Sequence, residues 1–278
     1  MKPRTARAGL AHGISAAKAD PFRNRSPLAF FALVFALSFP FWLMGAATDL
    51  QLVPGLSGSA LMAFSPMAAA LILVYRENKA AGVMKLLARS LDFERVKAKR
   101  WYVPIFLLMP GVSVVVCGLM HWMDMPLPTP QVSVVAALLM FLTFFAGALG
   151  EELGWSGYVL GPMQERWGAL LAGVTLGLVG ILWHLVPLLM LQRPPAWIAW
   201  WSLYAVAARV LIVWLYNNNG KSVCAVALFH ATLNLSYFLF PIYGSHFDMR
   251  LGGLVMAFAA TVVTIVWGPR TLARYTRA

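Results

Sequence analysis

The stretch Gly150-Glu151-Glu152-Leu153-Gly154-Trp155-Ser156-Gly157-Tyr158 sets two adjacent carboxylates at the end of an apolar run from Val132 to Leu149. An ionisable group in or beside a membrane-spanning segment is costly, so it marks a candidate functional site. Neighbouring residues on a helix point about 100 degrees apart, so Glu151 and Glu152 cannot share one face. One can face a cavity while the other braces the structure. Gly147, Gly150, Gly154, Gly157 and Gly161 recur at three- and four-residue spacing and thin this helix for close approach by its neighbours.

The rest of the chain fits a membrane setting. Of 278 residues, 60% are hydrophobic and only 12% charged, with mean hydropathy +0.73. Soluble domains carry about 25% charge, which excludes an ordinary globular enzyme. Eight apolar segments follow a basic tail: Leu28–Ala47, Ser57–Tyr75, Trp101–His121, Val132–Leu149 with the motif beyond it, Gly168–Met190, Ala196–Tyr216, Ser222–Phe240 and Leu251–Trp267. Each is near the ~17–25 residues that a spanning helix needs. None alternates in the manner of a barrel strand. The expectation is an all-α, polytopic membrane bundle of about eight helices with a polar intramembrane cavity. Residues 28–267 are expected to form one transmembrane domain, with cytoplasmic tails at 1–27 and 268–278.

Charge gives the orientation. Of the 22 Lys and Arg residues, 19 lie in the N-terminal tail, residues 76–100, 159–167, 217–221 and the C-terminal tail. Arg193 and Arg250 fall in the opposite loops, and Arg209 lies inside the sixth segment. This asymmetry places both termini in the cytoplasm and makes a bacterial cytoplasmic membrane the expected location. The formal charge of +12 is then an orientation signal, with no nucleic acid partner implied. The loop from Arg76 to Arg100 has the makings of an interfacial amphipathic helix or of a solvated linker. Cys117 and Cys224 lie in apolar runs and read as small buried hydrophobes. The first apolar run lacks a nearby Ala-x-Ala cleavage site and reads as a retained helix.

Three further polar residues interrupt the apolar segments. His184 sits in Gly180-Ile181-Leu182-Trp183-His184-Leu185-Val186-Pro187, where an interhelical hydrogen bond is one sufficient reason for it. His230 and Asn234 are four apart and share a helix face. Burying both without partners would cost several kcal/mol, so a shared cavity is expected. Glu151, His184, His230 and Asn234 together suit hydrolysis. A glutamate can take a proton from water, while an imidazole and an amide can donate to a developing oxyanion. A catalytic divalent metal, zinc by preference, on Glu151, His184 and His230 is the other option. No short His-Glu-x-x-His spacing calls for one. A proton-relaying transporter is a further reading, weakened by the absence of inverted repeats.

These motifs resemble the CPBP family of intramembrane proteases, which includes the type II CAAX prenyl endopeptidases and the Abi-type bacteriocin-associated membrane proteins. The resemblance runs from about 142 to 236 and rests on Glu151-Glu152, on the histidine before Leu-Val-Pro, and on His230-x-x-x-Asn234. It implies that Glu151 and His184 activate water, that His230 and Asn234 form the oxyanion site, and that Glu152 supports the local structure. The substrate would be a membrane protein, or a lipidated or hydrophobic peptide, within the lipid bilayer. The sequence departs from the family pattern at Ser156, where arginine is usual, and at Gly180, where phenylalanine is usual. Arg209, or less favourably Arg166, could supply the missing charge to Glu152, and Ser156→Ala is then expected to change little. Without such a brace, a non-catalytic scaffold or immunity-type relative is the alternative. One geometric difficulty stands: a straight fifth span starting at Gly168 puts His184 about 10 Å deeper than glutamates near the cytoplasmic end of the fourth.

Overall fold

A computed structural model describes residues 25–48, 50–53, 56–129, 133–240 and 244–274. Most of the N-terminal tail, Asp49, Val132 and the last four residues lie outside the described residues. The chain forms α1 (Pro27–Ala47), a small antiparallel hairpin of β1 (Gln51–Val53) and β2 (Leu56–Ser57), a 3-10 segment (Gly58–Phe64) and α2 (Ser65–Leu87). Three short 3-10 turns lead to α3 (Tyr102–Trp122). Then come α4 (Val134–Gly154), a π-helical turn (Trp155–Val159), α5 (Leu160–Trp167), α6 (Ala169–Met190), α7 (Pro195–Asn218), α8 (Val223–Phe238) and α9 (Met249–Trp267).

Seven helical stretches are long and apolar enough to cross a membrane, with α8 as a shorter apolar eighth. Their outward residues confirm the solvent they are built for. Leu107, Val114, Leu138, Phe258 and Ile265 are all exposed, and helices hydrophobic on every side belong in lipid. The all-α expectation therefore holds, and the eight helices fall on the eight apolar segments.

Two boundaries differ from the sequence reading. Residues 159–167, expected as a loop, continue the fourth span as α5, making one helical run from Val134 to Trp167. At about 1.5 Å per residue that run is about 50 Å long, well beyond the ~30 Å hydrocarbon layer. The second helix likewise continues past Arg76 to Leu87, broken at Lys79, whose φ of 54° and ψ of −155° are non-helical. The basic loop that follows is a bracket rather than a linker. Arg89 donates to Gly157 O at 2.8 Å and to the Tyr216 hydroxyl at 2.9 Å. Asp92 accepts from the Ser222 hydroxyl at 2.7 Å and from Cys224 N at 3.0 Å. A carboxylate on those free N–H groups stabilises the start of α8.

Glycine sets the depth at which α4 is held. A Cβ on Gly150 would fall 2.8 Å from Ala63 O, and one on Gly154 would strike Pro66 O. The pair lets α4 lie directly on the backbone that enters α2. Gly177 does the same between α6 and α7, where a Cβ would sit 2.9 Å from the Val206 Cα. Among the described residues a Cβ on Gly161 would meet nothing within 4 Å, so the spacing rule holds only for part of the predicted stripe. Gly154→Leu should therefore lower the melting midpoint in lipid by the equivalent of at least ~1–3 kcal/mol, since backbone cannot move aside. Gly161→Leu should leave it near wild type. Equal midpoints for the two variants would show that α4 is not seated on Ala63–Pro66.

Candidate active site

Glu152 is fully buried and is held by three side chains. Arg209 Nη1 lies 2.9 Å from its Oε1 and 3.0 Å from its Oε2. His230 Nδ1 donates to Oε1 at 3.0 Å, and the Ser156 hydroxyl donates to Oε2 from one turn along the same helix. These donors come from α4 with its π turn, α7 and α8, so one carboxylate ties three elements together. Arg209 and His230 keep only 12% of their side-chain surface. Solvent can do little to replace these bonds.

Glu151 has a different environment. It is 8% exposed, and its carboxylate makes no hydrogen bond or ion pair among the described residues. It lies within electrostatic reach of the His184 and His230 imidazoles, which also feel one another. The His184 Nδ1 sits 2.9 Å from Gly180 O. A carbonyl only accepts, so Nδ1 carries the proton and Nε2 is the ring's free nitrogen. Trp183 meets the ring edge-on at a centroid distance of 4.7 Å, and the Trp201 ring lies 5.3 Å away. Trp183 is itself fixed by Nε1 donating to the Ser38 hydroxyl at 2.7 Å. Asn234 lies one turn beyond His230 on α8, half-buried, and its amide makes no hydrogen bond among the described residues.

The depth difficulty is removed by α5. Glu151 lies 16 residues before the end of the long fourth helix at Trp167, and His184 lies 15 residues after the start of α6. Both are thus about 22–24 Å from the turn at Gly168. A helix that ended before residue 159 would set the glutamates near the cytoplasmic surface; the continuation through Trp167 sets them deeper.

Arg166 does not share the role considered for it. Its Nη2 donates to Arg25 O at 3.0 Å, near the far end of α5. Ser156 does more than expected, since its hydroxyl is one of the three donors to Glu152. The i, i+4 spacing of Glu152 and Ser156 was the available signal. The link from His230 to Glu152 and the contact of Trp201 with His184 had none, because they join residues distant in sequence. For a metal, the donors do not fit: among the described residues no three His, Cys, Asp or Glu side chains are grouped to hold an ion.

Sequence comparison locates this arrangement in a known class. Residues 133–236, which carry Glu151, Glu152, His184, Arg209, His230 and Asn234, match the family described as type II CAAX prenyl endopeptidase Rce1-like. Over those residues the chain resembles that family. Over 268 residues it is 24% identical to CAAX prenyl protease 2 of Methanococcus maripaludis, an alignment covering 86% of this chain and 93% of that relative.

The geometry ranks the supports of Glu152. Removing Arg209 leaves a buried carboxylate without its cation, a loss typically about 3–5 kcal/mol. Removing the Ser156 hydroxyl deletes one bond to a charged acceptor, about 1.5–3 kcal/mol. Arg209→Ala should thus cut folded yield and melting midpoint sharply, with Ser156→Ala in between and Arg209→Lys closer to wild type. If Arg209→Ala melts with the wild type, the ion pair does not hold these helices.

Proposed function

We propose that this protein is an integral-membrane endopeptidase that hydrolyses a peptide bond in a membrane-associated protein or hydrophobic peptide, using water activated by Glu151 and His184. The observation that carries this reading is the contrast between the two adjacent glutamates. Glu152 is saturated by donors, whereas buried Glu151 has no hydrogen bond or ion pair among the described residues and lies within electrostatic reach of two imidazoles. A buried carboxylate kept unpaired beside a free ring nitrogen is suited to receive a proton from water.

In this reading Glu151 takes one proton of a water whose other hydrogen is held by His184 Nε2. The hydroxide adds to the scissile carbonyl, and the proton passes to the leaving amine as the C–N bond breaks. The oxyanion is met by the Asn234 amide and by His230. Because His230 Nδ1 already donates to Glu152, the ring can offer Nε2–H only as imidazolium. The charges then match: Glu151 and Glu152 against Arg209 and His230. Proton transfer from water to Glu151 and formation of the oxyanion leave that balance unchanged, as suits a site away from bulk water.

The support for orientation is the distribution of Lys and Arg, which puts both termini and the Asp92 bracket in the cytoplasm. His230 lies seven residues after Val223, about 10 Å from that bracketed end of α8. The scissile bond would therefore lie in the cytoplasmic half of the bilayer. Residues 28–267 act as one domain in this scheme, since the donors to Glu152 come from across the bundle. The non-catalytic alternative drew its weight from Ser156. The Arg209 pair weakens it.

Two measurements test the proposal. Purified protein in lipid should cleave members of a diverse hydrophobic peptide library, and Glu151→Ala and His184→Ala should each lose ~10²–10⁴-fold in rate. Wild-type protein that cleaves nothing, or Glu151→Ala that cleaves equally well, would overturn it. For orientation, single cysteines at Asp124 and Glu165 should be labelled from opposite sides, with Glu165 reached only from the cytoplasm. Labelling of both from one side would reject the topology.

A further inference from the structure

A second polar site lies at the other end of the long fourth helix. A cavity of about 470 Å³ opens between the end of α5, the α7–α8 turn and the chain after α9, and its lining includes Arg166, Lys221 and Arg270. Its size falls in the range of small-ligand sites. Among the described residues none of the three cations is ion-paired with a carboxylate. Glu165 also lines the cavity, so among the described residues the lining cations outnumber acid by three to one.

The walls are fixed. Asn217 Nδ2 donates to Gln164 Oε1 at 2.6 Å and to Thr271 O at 2.7 Å. Ala169 N and Leu170 N donate to Arg270 O at 2.9 Å and Pro269 O at 3.0 Å. The chain after α9 is thereby tied across the start of α6, and the cations are presented on a preformed frame. Those α6 donors are already used, so any anion held here answers to the side-chain charges. The cavity also stands where apolar helices end. Exposed Trp167 borders it, and exposed Leu171 and Val266 follow within about a turn along α6 and α9.

We propose that this cavity binds the phosphate of an anionic phospholipid, with Arg166, Lys221 and Arg270 on the headgroup and the acyl chains along the apolar ends of α6 and α9. Basic recesses between spanning helices on the cytoplasmic side recognise such headgroups, with each basic residue contributing about a fivefold gain. Free phosphate shares the chemistry of the headgroup, but it has no use for the apolar flank.

The test uses the full chain in nanodiscs of phosphatidylcholine with or without one part in five phosphatidylglycerol, with retained lipids counted by native mass spectrometry. Wild type should retain phosphatidylglycerol above its share of the bilayer and melt higher when it is present. Lys221→Ala with Arg270→Ala should lose about fivefold of that preference for each cation removed. The charge-keeping pair Lys221→Arg with Arg270→Lys should retain it, which separates loss of charge from loss of fold. Arg250→Ala, on the opposite side, should behave as wild type. No enrichment in wild type, equal enrichment in the alanine pair, or loss in the charge-keeping pair would overturn the proposal. Stabilisation by millimolar inorganic phosphate equal to that by phosphatidylglycerol would assign the cavity to a soluble anion instead.

Discussion

The structure depends on one buried carboxylate. Glu152 has no exposed surface, and a bare charge there would be untenable in so apolar a protein. Arg209, His230 and Ser156 make it tenable, and in doing so fix how α4, α7 and α8 are rotated about their axes. Rotating any one of them would pull a donor away. Gly150 and Gly154 complete the constraint by fixing how far α4 approaches α2. Packing sets the distance, and the ion pair sets the angle.

That constraint explains how two identical neighbours have different surroundings. A helix turns about 100 degrees per residue, so aiming Glu152 at Arg209 necessarily turns Glu151 elsewhere. There it lies within electrostatic reach of His184 and His230. The imidazoles are aimed from behind by different means: His184 by a backbone carbonyl and flanking tryptophans, His230 by Glu152 itself. In both rings Nδ1 is engaged and Nε2 is left over. The bracket of Arg89 and Asp92 works one step further out by fixing the start of α8, from which the position of His230 follows. The π turn at Trp155–Val159 adds to this directional control. It keeps Ser156 under Glu152 while Trp155 packs on Phe30 and Trp183 at centroid distances of 5.4 and 5.7 Å. Such turns commonly accompany functional sites.

What the sequence discloses follows from which forces act locally. The eight helices were legible because spanning a bilayer demands a continuous apolar run. The partner of Glu152 was legible because an arginine inside such a run must have one. The extension of the fourth helix through Trp167 was not, because Gly157, Gly161 and Pro162 look like breakers and Gln164, Glu165 and Arg166 look like solvent. Pro162 nevertheless falls in the first turn after the π segment, where its missing N–H is better tolerated. That misreading propagated into depth, making His184 seem out of reach of Glu151. The Trp201 contact with His184 and the bond from His230 to Glu152 exist only after α6, α7 and α8 have assembled, so no local pattern announces them.

The choice of where the cation comes from has a structural consequence. An arginine at position 156, as the motif resemblance leads one to expect, would lie one turn from Glu152 on the same helix. It could neutralise the carboxylate before any other helix packed against it. With serine at that position the charge comes from α7, 57 residues along the chain. Glu152 is then neutralised only when α4 and α7 meet. Assembly of the bundle and preparation of the site become one event: a misplaced α7 leaves the carboxylate without its cation, and His230 without the acceptor that orients it. The serine hydroxyl fits this division, since it supplies a local donor while leaving the charge balance to the inter-helix pair. An arginine within the bilayer, costly in isolation, thus specifies which helices must come together.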